Sequence, residues 1–193
     1  MLALQPKRDI PLDLKQRGRW ILSLWMVPIH KLAHEGRPYF LSRPRRFGKS
    51  LLISTLKAYW EGRCELFRGL AIERLEAENP DAWQPHPVFH FDLNGASYTR
   101  EGDLETHLNR HLRQWEVAYG IQKPEPALGD RFRELLVRAH EQTGLRCVVL
   151  VDEYDKPLLE AMEDTVSEKQ NRAVLKASSA YSRQPMTTYG LCS

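Results

Sequence analysis

The chain has 193 residues, 42% of them hydrophobic and 27% charged. That is the size and make-up of one globular domain, and it excludes collagen, low-complexity disorder and disulfide scaffolds. The net charge of +3, from 28 basic and 25 acidic residues, is too mild to imply a nucleic-acid partner.

The three cysteines, Cys64, Cys147 and Cys192, are far apart and form no C-x-x-C unit. Neither a zinc knuckle nor a disulfide framework is indicated, and a reducing cytoplasm is the expected location. The first apolar stretch, Trp20–Ile29, is ten residues long, whereas spanning a bilayer takes about 20. Lys15, Arg17 and Arg19 precede it as in a signal peptide, but no small-residue cleavage site follows. It is expected to be a buried element, with no membrane partner.

Residues 38–42 form a short strand pattern and 43–48 a loop containing Pro44. Leu52, Leu56, Tyr59 and Trp60 recur at three- and four-residue steps, which predicts a helix over Lys49–Trp60 that stops at Gly62. A loop with Pro80, Pro85 and Pro87 leads to a second strand, Val88–Leu93, bounded by Asn94-Gly95. Asp103 is expected to cap a helix with Leu104, Leu108, Leu112, Trp115 and Tyr119 on one face, broken by Pro124 and Pro126. Asp130 is expected to cap another, with Phe132, Leu135, Leu136 and Ala139 on its face and Gly144 at its end. Cys147–Asp152 is a continuous apolar run ending in an acid. That is the pattern of a strand buried on both faces of a parallel sheet. Strands alternating with helices predict an α/β fold with a mostly parallel sheet.

Two motifs carry chemistry. Gly48-Lys49-Ser50, after a strand and opening a helix, is the second half of the phosphate-loop pattern G-x-x-x-x-G-K-[S/T]. Glycine lets the backbone approach a phosphate, and the N–H groups of the helix start attract the anion. Lysine bridges the terminal phosphates and the serine hydroxyl ligates Mg²⁺. Arg45, Arg46, Phe47, Gly48, Lys49, Ser50 and Leu51 are the expected nucleotide contacts. Arg43 stands where the leading glycine of the pattern falls. The second motif is Val148–Glu153, four apolar residues and two acids, about 100 residues downstream. At the C-terminal edge of a sheet, Asp152 would hold the Mg²⁺ with Ser50, and Glu153 would polarise the attacking water. ATP and Mg²⁺ are therefore the expected ligands, with Glu153 and Lys49 as the catalytic pair.

The strings Tyr39–Leu52 and Val151–Leu159 resemble the bacterial and archaeal AAA-ATPase-like family. His86–Asp92 and Gln170-Asn171-Arg172 extend the resemblance, which covers about residue 29 to 177. In that family Arg-Pro-Arg-Arg-Phe replaces the leading glycine, so Arg43 fits. The resemblance implies a P-loop NTPase three-layer α/β/α sandwich and a following nuclease-like domain, which this sequence is expected to lack. Residues 1–28 lack the Tyr-x-Asp-Lys-Thr opening of the family and form a divergent segment.

Residues 178–193 form a non-family tail with crowded Ser and Thr. Read one nucleotide earlier, the codons of Tyr181–Ser193 permit a family-like continuation, so a frameshift near Ala177 is expected. The resemblance places the strand lost with it between the strand at Leu41 and the strand at Val149. Marginal folding and weak ATP hydrolysis are expected to follow.

Other constellations are weaker. His30/His34, His86/His90 and His107/His111 are each four apart, but no H-E-x-x-H and no third ligand is evident. His107 and His111, beside Asn109, Arg110 and Arg113, predict a solvated helix face. No G-x-S-x-G elbow is present. Asp92 ends a strand beside the expected site, where it either positions site groups or caps a turn. Two alternatives stand beside the ATPase: a non-catalytic remnant, or a nucleic-acid-binding module using Arg43, Arg45, Arg46 and Arg63. A homo-oligomer fits any of the three.

Overall fold

The computed structural model describes residues 19–35, 48–122, 127–161, 169, 171 and 172. The strand expected over 38–42, the loop residues 43–47, and the segments 1–18 and 178–193 lie outside them.

Helix α1 (Arg19–Glu35) takes in the apolar stretch. Met26 and Ile29, three apart, are fully buried, whereas Val27 between them is 59% exposed. The end of the stretch is thus an amphipathic helix with one buried stripe. It runs through Pro28, which removes one backbone donor from the ladder.

Helix α2 (Lys49–Trp60) ends where the sequence predicts. Gly62 adopts φ +73°, and a Cβ there would stand 2.5 Å from the Trp83 carbonyl oxygen. Only glycine satisfies both demands. A 3₁₀ turn (Cys64–Phe67) and helix α3 (Ala71–Leu75) follow, then strand β1 (Val88–Asp92). Helices α4 (Asp103–Ala118) and α5 (Leu128–Thr143) lead to strand β2 (Val148–Asp152) and helix α6 (Lys156–Glu160).

The two acidic caps are corrected. Gly102, at φ +81°, is the N-cap of α4, and Asp103 is its first residue. The Asp103 carboxylate instead accepts the Arg100 N–H at 2.9 Å. Helix α5 starts at Leu128 after Ala127, so Asp130 lies inside its first turn. Both carboxylates still stand at the positive end of a helix dipole. Gly144, at φ +69°, closes α5 as predicted.

Strands β1 and β2 pair in parallel, Val88 opposite Val148 through Asp92 opposite Asp152. Parallel neighbours need a crossover, and α4 and α5 supply it. Alternation then sorts the side chains. Phe89, Phe91 and Val149 pack with Leu104, Leu108, Leu112, Phe132 and Leu135 of α4 and α5. Val148 and Leu150 pack on the opposite face with Met26 and Ile29 of α1 and Leu52 and Leu56 of α2. This is an α/β arrangement with helices on both faces of a small parallel sheet.

The solvated face expected at His107 and His111 is a second correction. His107 is buried. Its Nε2–H donates to the Asp92 carbonyl at 2.9 Å, and its Nδ1 accepts from Arg110 at 2.8 Å. His111 stacks on Trp115 and meets the Phe91 ring edge-on. Burial first, then the neighbouring His107 and Arg110, push the His111 imidazole down to about 4. The charged residues nearby in sequence misled because Arg110 reaches back to bond His107 while the imidazole itself packs under α4 against β1.

Between α4 and α5, Arg131 and Glu116 form a buried pair, Nε to Oε1 at 2.6 Å and Nη2 to Oε2 at 2.9 Å. Arg131 also donates to Asn109 Oδ1. The planar fork satisfies both carboxylate oxygens at once.

Candidate functional site

The start of α2 meets the C-terminal ends of β1 and β2. Gly48 takes the left-handed conformation (φ +73°, ψ +26°) at the N-cap, and its carbonyl accepts the Leu52 N–H at 2.9 Å. Lys49, Ser50 and Leu51 form the first turn, where helical N–H groups have no partner within the helix. The Ser50 hydroxyl and the Lys49 charge both act on the Asp152 carboxyl, each favouring its ionised form. Residues 102 apart in sequence are thus joined as the two motifs require.

Asp152 is only 6% exposed. Burial pushes its carboxyl up from the usual range and the neighbouring Asp92 adds to this, against hydrogen bonds from Ser50 and the Glu153 backbone and the Lys49 charge. Its Oδ1 is buried and has no hydrogen-bond partner among the described residues. A buried carboxylate oxygen without a donor is costly, and a cation is the group that would satisfy it. The donor set, a hydroxyl and carboxylates, is the hard-oxygen chemistry that Mg²⁺ takes.

Glu153, the next residue, has φ +56°. A non-glycine residue there is uncommon and strained. The turn sends the chain from the strand end straight into α6: the Glu153 carbonyl accepts the Lys156 N–H at 3.1 Å. Glu153 thereby sits at the rim of the sheet edge, half-buried.

Asp92 lies opposite Asp152 on the paired strand. Its Oδ1 caps the turn by accepting the Asn94 N–H at 2.9 Å, while its backbone carbonyl is held by His107. His90 is half-buried on the α2 side of β1, and its buried Nε2 lacks a partner among the described residues. Burial, and then the Lys57 charge, push its imidazole down to about 4.

Sequence reasoning did not foresee the brace behind these groups. Lys156 Nζ donates to the carbonyls of Asn94 and Ala96 at 2.6 and 2.8 Å. Glu160 Oε2 accepts the Tyr98 N–H at 2.9 Å. Together they tie the loop after β1 to α6. Asn171 Nδ2 donates to the Pro157 carbonyl at 3.0 Å, which gives one residue of the Gln170–Arg172 string a structural use. None of these pairings has a local sequence signal, since the partners are 14 to 62 residues apart.

Of the expected site residues, Gly48, Lys49, Ser50, Leu51, Asp152 and Glu153 fall on this one edge. Arg45, Arg46 and Phe47 lie outside the described residues, as does Arg43. Arg63 is at the far end of α2, where it pairs with Glu65 at 3.5 Å. The histidine pair on α1 does have a third potential ligand, Glu76, 42 residues from His34. No described helix is long and apolar enough to cross a membrane.

A family model described as Predicted AAA-ATPase matches residues 28–184. A curated relative, an uncharacterized protein in the vnfD 5' region of Azotobacter chroococcum mcd 1, is 42% identical over 133 residues. The match takes in 67% of this chain and 24% of the relative, so the chain spans about a quarter of that protein's length. No solved structure matches the chain. The chain belongs to the AAA-ATPase-like family.

Proposed function

We propose that this member of the AAA-ATPase-like family binds MgATP at the start of α2 and is the ATP-hydrolysing part of a cytoplasmic P-loop protein of the three-layer α/β/α class. The observation that carries the reading is the Asp152 carboxylate, acted on by Ser50 and Lys49 and with one buried oxygen that has no donor among the described residues.

The roles follow from position. The left-handed Gly48 lets the loop backbone close around an anion without a Cβ in the way. Lys49 places its ammonium at the same helix start, where it balances phosphate charge. Ser50 and Asp152 would hold Mg²⁺, which supplies charge neutralisation on the phosphates when bound. Glu153 at the rim is the group to orient and deprotonate a water, and its constrained backbone fixes where the side chain starts. Arg45, Arg46 and Phe47 complete the loop in this reading.

The test is a thermal shift paired with a turnover assay. MgATP should raise the melting temperature, by about 2.7 kcal/mol of stability at a hundredfold excess over Kd, and Lys49→Ala should abolish the rise. A rise that persists in Lys49→Ala overturns the site. Glu153→Gln should keep the rise and lose phosphate release. Wild-type protein that shows the rise but no phosphate release is a binding module only, and the hydrolytic half of the proposal fails.

A further inference from the structure

We propose that His30, His34 and Glu76 form a binding site for a divalent transition metal of the zinc class, separate from the nucleotide site. It lies by the C-terminal end of α2, where Tyr59 touches Glu76, whereas Lys49 and Ser50 are at the N-terminal end of that helix. His30 and His34 are one turn apart on α1, with ring centroids 4.4 Å apart. Glu76 closes α3, with its side chain fully buried. Its Oε1 lies 2.9 Å from His34 Nε2 and 3.7 Å from His30 Nε2. All the donor atoms lie within 4.8 Å of one another. A tetrahedral ion with bonds near 2.0–2.1 Å spaces its ligand atoms at about 3.3 Å, so small movements suffice.

The carboxylate is already oriented. The Tyr59 hydroxyl donates to Oε1 at 2.7 Å and Asn79 Nδ2 to Oε2 at 2.7 Å. Such outer partners fix a metal-bound carboxylate. A buried carboxylate needs a balancing charge, and a cation shared with two imidazoles supplies it. The fourth coordination position has room: an open pocket of about 420 Å³ lies alongside, lined by His34, Tyr59, Asn79 and Asp81 among others. Two nitrogens and one carboxylate oxygen with an open position is a ligand set suited to Zn²⁺ or Co²⁺ rather than Mg²⁺. Binding would pin α1 to α3 and, through Tyr59, to α2.

The experiment uses the full chain without an affinity tag, stripped with chelator and then titrated with Co²⁺ and Zn²⁺. One equivalent of Co²⁺ should give the visible absorption of tetrahedral cobalt, Zn²⁺ should quench it, and Zn²⁺ should raise the melting temperature. His30 is 31% exposed and makes only the longer contact, so His30→Ala should fold and lose the cobalt absorption, with affinity reduced at least about tenfold. His34→Ala should do the same. Cys64→Ser, which removes the exposed thiol, should leave the absorption intact. Absence of the cobalt signal in the wild type, or its survival in both histidine variants, overturns the site. The MgATP shift is read separately, so either proposal fails alone.

Discussion

The polar groups nearest the strands fare differently on the two faces of the sheet. On the α4/α5 face every polar group singled out has a partner: Arg131 forks onto Glu116, and His107 uses both ring nitrogens. On the α2 face and the strand ends beside it, Asp152 Oδ1 and His90 Nε2 are buried without one among the described residues. A satisfied buried network fixes a packing. An unsatisfied one costs stability and is retained where a ligand completes it. The first face is scaffold and the second is the working surface.

Substitutions on the two faces should therefore behave differently. The largest effect should come from the scaffold. Arg131→Ala strands a buried carboxylate and should cost about 3–5 kcal/mol, read as a drop in denaturation midpoint. Replacing both partners, as Arg131→Met with Glu116→Leu, should restore most of it; a double variant as unstable as the single would show that the pair itself is essential. Phe89→Ala, at a fully buried ring meeting Trp115 and Phe132 edge-on, should cost a comparable ~3–5 kcal/mol.

The working surface should respond with the other sign. Asp152 has a raised folded-state pKa, so its carboxylate costs folding stability at neutral pH, and that cost disappears as pH falls below the folded value. Asp152→Asn should therefore raise the melting temperature of the ligand-free chain at pH 7 by about 2–4 °C while abolishing the MgATP shift. A lower melting temperature in that variant would contradict the strained-site reading.

A smaller effect concerns pH. His90 and His111 are both held at about 4, well below the ordinary imidazole value. A lowered imidazole pKa means that the unfolded chain binds the proton first. Stability from these two is then present above about pH 6.5 and is lost progressively as pH falls toward 4. Melting curves across that window should show the loss, and His111→Phe, which keeps the ring against Trp115 and Phe91, should flatten it. Finally, Gly62→Ala should cost more than the ~1 kcal/mol of an ordinary left-handed glycine, because its Cβ also meets the Trp83 carbonyl.

Much of this was legible in the sequence because it depends on period and on local chemistry. Leu52, Leu56 and Tyr59 mark the buried stripe of α2 by spacing alone. Phe132, Leu135, Leu136 and Ala139 do so for α5, and all are buried. The run Val148–Leu150 announces a strand covered on both sides, and glycine at 62 and 144 announces the helix ends. Gly48-Lys49-Ser50 and Asp152-Glu153 could be paired as a site because each motif requires the other. What the packing of the elements added is how far the buried face of α4 extends past its leucines, and which distant side chains meet. His107 is buried because the crossover lays α4 over β1, although its neighbours in sequence are charged. Glu76 joins His30 and His34 because α3 packs on α1, and no spacing rule links positions 42 apart. Periodicity fixes an element's own geometry, but contacts between elements depend on where the chain returns, and that is set by the packing of the whole.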